Sequence, residues 1–150
     1  MSTYSFTDVV AAITGIGGAS ILGSSAGAAE EGITIEAVAD KNVMVIGADG
    51  KSQNSLIANE ASTVTVRLLK TSPINAVLQV MYDLQSQSTL FWGLNVITIR
   101  DIARGDSITL THCAFKKRPT INYAKEAGNV EWTFDCGHTI AILGIGIPTL

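Results

Sequence analysis

Val130-Glu131-Trp132-Thr133-Phe134-Asp135-Cys136 is the stretch whose reading decides the fold. Its apolar residues, Val130, Trp132, Phe134 and Cys136, recur at every second position, with Glu131, Thr133 and Asp135 between them. Successive side chains of a strand point to opposite faces, so this alternation predicts a strand with one side buried and one in water. A turn at Ala127-Gly128 just before it sets Tyr123 opposite Trp132 and Ile121 opposite Phe134. Bulky cross-strand pairs of that kind hold a half-buried hairpin.

The same period runs outward through the chain. Ile33 and Ile35 alternate with Thr34 and Glu36; Val64, Val66 and Leu68 with Thr63, Thr65 and Arg67; Ile97 and Ile99 with Thr98 and Arg100. One segment departs from it. Ser72 is a suitable helix N-cap, Pro73 suits the first helical position, and Ile74, Val77, Leu78, Met81 and Tyr82 follow the i, i+3, i+4, i+7, i+8 stripe. The pattern predicts a helix over about 73–85, laid on a sheet by that stripe. The fold class is therefore mainly β, a sandwich or barrel of two packed antiparallel sheets flanked by one α-helix.

A further hairpin arm, about 42–58, is signalled by Asp49-Gly50, a pair favoured in type I′ turns. Pairing through that turn sets Ile46 against Gln53 and Met44 against Ser55. One arm is apolar (Val43, Met44, Val45, Ile46) and the other polar (Lys51 to Ser55). A lone two-stranded ribbon is marginal and wants a neighbouring surface, so this is an assembly arm or else an ordinary surface loop.

At 150 residues the chain reads as one domain, 1–150, with room for extended termini. Only 15% of its residues are charged, against about 25% in an ordinary soluble domain. A folded monomer of this mass exposes about 7,300 Å², so its 10 bases and 13 acids are a sparse cover. A partner or a membrane should hide the rest. The membrane option rests on Val9 to Ala29, which is uncharged but holds five glycines and only six Val, Ile or Leu. Its drive to insert is weak, and no membrane partner is expected. A secretory cleavage site at Ala26-Gly27-Ala28 lacks a positive n-region, because the first base is Lys41.

The net charge of −3 argues against a basic nucleic-acid binder. Charge is divided along the chain: residues 1–60 hold seven acids and two bases, while 61–150 hold six acids and eight bases. In a self-assembling protein such asymmetry draws copies together.

No motif carries chemistry. Gly47 to Ser52 ends in Gly-Lys-Ser, but Val45 stands where a phosphate-binding loop needs its first glycine. Gly15-Ile16-Gly17-Gly18-Ala19-Ser20 lacks the sixth-position glycine of a dinucleotide fingerprint. Arg104-Gly105-Asp106, the tripeptide of some adhesion ligands, sits between Ile97-Ile99 and Ile108-Leu110 as the polar turn of a hairpin. His112-Cys113 and Cys136-Gly137-His138 are the only cysteines and histidines, too few for a persuasive metal site or thiol nucleophile. The cysteines form one bridge or stay as two buried thiols, the latter fitting the missing signal. Lys116-Lys117-Arg118 is the one basic run, suited to a solvated strand end or a salt-bridge patch toward another subunit or a sheath. No catalytic residue, cofactor or metal is expected.

Nearly end to end, the sequence resembles the tail tube proteins of contractile-tailed bacteriophages. The resemblance lies in the order of Glu30-Glu31-Gly32-Ile33-Thr34-Ile35-Glu36, Asp40-Lys41-Asn42-Val43-Met44, Gly47-Ala48-Asp49-Gly50 and Val64 through Pro73. It continues in Trp92-Gly93-Leu94-Asn95, Ala103-Arg104-Gly105-Asp106, Ala114-Phe115-Lys116-Lys117, Tyr123-Ala124-Lys125 and Glu131 through Asp135. The resemblance implies hexameric rings stacked into a hollow tube inside a contractile sheath, assembled in the host cytoplasm and carried in the virion tail. Implied partners are further copies of the chain, the sheath, baseplate or tube initiator, tail terminator and tape measure proteins. Double-stranded DNA passes through without specific binding. Tubes of phage-tail-like bacteriocins or secretion systems share this architecture; a secreted β-sandwich adhesion module is the reading from another class. An acidic bore suits a conduit that must not hold phosphates, which makes Glu36, Asp40 and Glu60 candidates for the lumen. Val43, Met44, Ile46, Asp49, Gly50 and Lys51 are candidates for an inter-ring arm.

Overall fold

In the computed structural model, which describes residues 3–23 and 28–145, Asn129–Ile142 forms the longest strand. The elements in chain order are β1 (Val9–Gly15), β2 (Gly18–Ile21), β3 (Ala28–Ala37), β4 (Asn42–Ile46), β5 (Ser52–Leu56), β6 (Ser62–Leu69), α1 (Ile74–Gln85), β7 (Asn95–Asp101), β8 (Asp106–Lys117) and β9 (Asn129–Ile142). Among the described residues there are thus nine strands in two antiparallel sheets and one α-helix. The large sheet has the order β2-β1-β7-β8-β9-β6-β3, and β4 and β5 form the second sheet.

The alternation in β9 is realised: Trp132, Phe134 and Cys136 are buried while Glu131 and Asp135 are exposed. Its expected hairpin partner is wrong. Trp132 lies opposite Val66 of β6, and Phe134 lies between Val64 of β6 and Phe115 of β8. Both sides of β9 are taken by strands with continuous apolar rows, so residues 119–126 find no place on it. Ile121 and Tyr123 are instead exposed, in an irregular link between β8 and β9.

The large sheet curls over its own inner face. Ile33 and Ile35 of edge strand β3 face Val9, Ile99 and Ile108 of the opposite half across a groove of about 210 Å³. The two layers of the expected sandwich are therefore two halves of one bent sheet. One bend is marked by His112, whose φ of 53° puts an extra residue into β8 where its register against β7 shifts. Such a bulge kinks a strand and increases its twist. From α1, Leu78 and Met81 are buried in the core, with Ile74, Val77 and Tyr82 packed against it. The helix begins one residue later than expected, with Pro73 at the N-cap and Ile74 as the first helical residue; the Ser72 hydroxyl, just before the cap, accepts from the Ile74 N–H at 3.3 Å. Trp132 Nε1 donates to Asn75 Oδ1 at 3.0 Å, tying helix to β9.

The Asp49-Gly50 hairpin forms with its pairing shifted by one residue. Ile46 lies opposite Ser52, Val45 opposite Gln53 and Met44 opposite Asn54. A type I′ turn needs positive φ at both central residues, but Gly50 has φ 85° and Asp49 does not. Gly47 N donates to Lys51 O at 2.8 Å and the Asp49 carboxylate accepts from Lys51 N at 3.2 Å, which closes a longer loop. The Gly15-Ile16-Gly17-Gly18 run is likewise a turn, joining β1 to β2 through Gly17 at φ 101°. No helix among the described residues is long and apolar enough to cross a membrane. The candidate cleavage site at 26–28 falls largely outside the described residues, as do the termini 1–2 and 146–150.

A buried amide pair locks this framework. Gln85 and Asn95, 1% and 0% exposed, exchange hydrogen bonds of 2.8 and 2.9 Å, and Gln85 Nε2 also donates to Ile16 O at 2.8 Å. They join the end of α1, the β1–β2 turn and the start of β7. Asn95→Leu strips Gln85 Oε1 of its donor and should cost about 1–3 kcal/mol. Urea unfolding of the unassembled chain measures this, and a midpoint equal to wild type's refutes it.

Candidate functional site

The candidate residues gather at two opposite ends of the strands. At one end, β3 leaves the sheet beside the start of β6, with Ala37 opposite Ser62 and Val38 N donating to Ala61 O at 3.1 Å. Glu36, Asp40 and Glu60 are all exposed here, around the base of the β4–β5 hairpin. Glu60 Oε2 lies 2.5 Å from Nδ1 of His138 on β9, a partner that sequence spacing did not suggest. The hairpin itself stands off the body. Val43, Met44, Val45 and Ile46 are 49% to 61% exposed, and Leu56 is 82% exposed. Contiguous apolar surface of this kind marks an interaction site.

The other end is basic. β6 runs from Ser62, opposite Cys136, to Leu69, opposite Asn129, so the two ends are about 23 Å apart at the usual strand rise. Lys116 and Lys117 close β8 and Arg118 follows, all three exposed. The two lysines line a single cavity of about 500 Å³ together with Thr120, Asn122, Glu131 and Thr133. Neighbours on a regular strand point to opposite faces, and the register shift between Phe115 and Lys117 is what brings both to one space. Residues 119–128 arch over this end. Lys70 holds the arch, donating to the Asn122 carbonyl and lying 3.8 Å from the centre of the Tyr123 ring.

Between these ends, the outer face of the sheet carries a row the sequence reading passed over, Thr34, Thr65 and Thr133 on three adjacent strands. The row beside it is Glu36, Thr63 and Asp135. The only signal for it was threonine at alternate positions.

The cysteine and histidine motifs lie side by side on the paired strands β8 and β9. Cys113 and Cys136 face each other across β8 and β9 as buried free thiols. Their mutual hydrogen bond and burial push the Cys136 thiol upward, away from a reactive thiolate. His112 is exposed at the bulge, while His138 sits on Glu60. Among the described residues, no group of three His, Cys, Asp or Glu is placed to hold a metal. Arg104 is turned inward, 9% exposed and 3.4 Å from Asp101, with the Tyr4 ring beneath it. Asp106 accepts from Gly144 N at 2.7 Å. The tripeptide is thus a structural turn, and its arginine is not displayed.

Against this geometry, the family model of the bacteriophage PhiTE tail tube protein matches residues 1–144. The chain belongs to that family. It is a family of structural tail components. Two solved structures share the fold of this tail tube chain. The tube-terminating cap of the anti-feeding prophage is 12% identical with a TM-score of 0.57, covering 96% of this chain and 93% of its own. The sheath-tube complex of the extracellular contractile injection system PVC, in its extended state, contains a chain 10% identical with a TM-score of 0.59, covering 94% and 92%. No curated protein matches the sequence.

The thiol geometry is testable. Both cysteines should react with iodoacetamide equally slowly, about 100-fold or more below their rate in urea, because access needs local opening. Rapid, selective modification of one in the folded chain contradicts the buried pair.

Proposed function

We propose that this chain is the building block of a phage tail tube, forming hexameric rings that stack into a hollow conduit for the genome inside a contractile sheath. The match to the tail tube family over residues 1–144 carries this reading. Its isolated surface supports it. The chain exposes 9513 Å², well above the about 7,300 Å² of a free globular monomer of its mass. The excess includes an apolar hairpin and an arched loop that a ring or stack would cover. Ring closure would also pair the free edges of β2 and β3, which otherwise invite aggregation. The chain is a structural subunit and not an enzyme, assembled in the host cytoplasm as one domain. It would contact sheath, baseplate or tube initiator, terminator and tape measure proteins.

Glu36, Asp40 and Glu60 are assigned to the bore. Glu36 shares its row with Thr63 and Asp135, so the same face brings Asp135 and hydroxyl groups toward the DNA. Such a lining neither neutralises phosphates nor reads bases. A tube of a phage-tail-like bacteriocin or secretion system is the second reading, favoured by the fold shared with the anti-feeding prophage cap and the PVC tube complex. Capsid and terminase genes beside the coding sequence select the phage.

Electron microscopy of the purified chain at rising concentration should show rings or tubes about a hundred ångströms across, by the scale of six small domains. A persistent monomer that also fails to polymerise on a tail baseplate counts against the proposal. Assembled wild-type tubes should retain no DNA at physiological salt. Tubes of Glu36→Lys/Asp40→Lys/Glu60→Lys should retain it with a log-log salt slope steepening by about 0.9 per phosphate neutralised. Equal behaviour of the two tubes removes these acids from the bore.

A further inference from the structure

We infer that Cys113 and Cys136 are a disulfide site, at which a low-molecular-weight disulfide oxidises the folded chain and joins β8 to β9 by a covalent bond. The inference does not depend on the tube reading.

The first argument is geometric. The two cysteines are direct partners in the β8–β9 register. Directly opposed residues of an antiparallel pair have Cα atoms about 4.5–5.5 Å apart, and a disulfide spans Cα separations of about 4.4–6.8 Å. Closing the bond therefore asks for side-chain rotation and little backbone movement. Both thiols lie in the core, 0% and 2% exposed, and are already hydrogen-bonded to each other. Their row is held on both sides, with Cys113 opposite Asn95 of β7 and Cys136 opposite Ser62 of β6. Asn95 is tied to Gln85 at 2.8 and 2.9 Å, and the Ser62 hydroxyl oxygen accepts from Thr139 Oγ1 at 2.9 Å. The sulfurs are thus neighbours before any bond forms, which favours an intramolecular step over capture by a second chain.

The second argument is access. His112, next to Cys113, is exposed with a φ of 53°, and Gly137, next to Cys136, is exposed as well. The β7–β8 register shifts at the same place, between Asn95 and Ile97. Such a bulge interrupts the ladder, so strands open here at less cost than in global unfolding. Opening of this kind admits a small reagent, while burial in the closed chain keeps each sulfur from the sulfurs of other copies.

The chemistry balances without any group supplied by the fold. One thiol, exposed and ionised, attacks a sulfur of the reagent; a mixed disulfide forms and one small thiolate leaves. The partner thiol loses its proton to water and attacks the protein sulfur of that mixed disulfide. The bond between β8 and β9 forms as the second small thiolate leaves. Two protein thiols have been oxidised and one small disulfide reduced to two thiols. A reducing compartment keeps the pair open and an oxidising one closes it. The strands so joined are the central ones of the sheet, and each chain is stapled separately.

The test uses the full chain, reduced, freed of reductant, and incubated with oxidised glutathione in the absence of denaturant. It is then unfolded and treated with iodoacetamide. Wild type should have lost two hydrogen atoms by intact mass, take up no iodoacetamide, and yield one linked peptide pair containing Cys113 and Cys136. Cys113→Ser and Cys136→Ser should give at most a glutathione adduct. The unfolding constant of the bridged chain in urea should be about 100-fold lower than that of the reduced chain, and dithiothreitol should reverse the change. Two free thiols after an exposure long enough for iodoacetamide to label the folded chain, or glutathione adducts without a bridge, overturn the inference. Links between copies overturn it too. So does a bridged chain that unfolds at lower urea than the reduced one, because the bond then does not fit the folded sheet. These outcomes leave the tube reading untouched, since ring and tube formation are scored independently by electron microscopy.

Discussion

The structure depends on β9 being paired on both sides. Its inner row meets β8 through Phe115 and β6 through Val64 and Val66, and an aromatic cluster grows from that junction. Phe115 lies 4.8 Å from Phe134 and 5.8 Å from Trp132 between ring centres, with Tyr82 of α1 edge-on at 5.6 Å and Trp92 6.0 Å from Tyr82. Large rings in edge-on contact bury much area and restrict one another's orientation. Once this cluster is packed, the position of the helix follows, and the Trp132 to Asn75 hydrogen bond and the Gln85 to Asn95 pair fix its two ends.

That arrangement also decides what stays outside. With both sides of β9 occupied, residues 119–128 arch away from the sheet over a polar cavity. With Ala37 and Ser62 paired directly, the chain between them is expelled as the β4–β5 hairpin. The two protruding features are by-products of one pairing scheme, and they emerge at opposite ends because β6 runs antiparallel to β9 between them. A subunit with polar ends of opposite sign is already directional. In the proposed ring and stack, the sparse charge of the chain is explained by where its surface goes: into contacts between copies.

Much of the fold was legible from periodicity because the inner rows are simple. Val64, Val66 and Leu68, Ile97 and Ile99, and Trp132 and Phe134 alternate without interruption, and each is buried as the pattern requires. The helix was legible from Ser72-Pro73 and its stripe. The candidate surfaces were legible as residue groups, since exposed apolar and basic runs stand out in a sparsely charged chain. Their pairing was not. Alternation says which residues share a face of one strand, and nothing in it says which strand lies alongside. Local turn chemistry misled twice: Ala127-Gly128 suggested a hairpin whose place was held by β8, and Asp49-Gly50 suggested a shorter loop than the one Gly47 and Lys51 close.

By itself, the sequence determined that this chain is mainly β with one helix, that its core is aromatic and branched, and that too few charges cover its surface. These are properties of side-chain chemistry and local spacing, which act over a few residues. Only the tertiary structure decided that β9 sits between β8 and β6, and that Lys116 and Lys117 turn into one cavity. It also decided that Arg104 folds inward and that hairpin and cavity mark opposite ends. Those outcomes rest on contacts between residues tens of positions apart, where packing of whole rows outweighs the preference of any single turn.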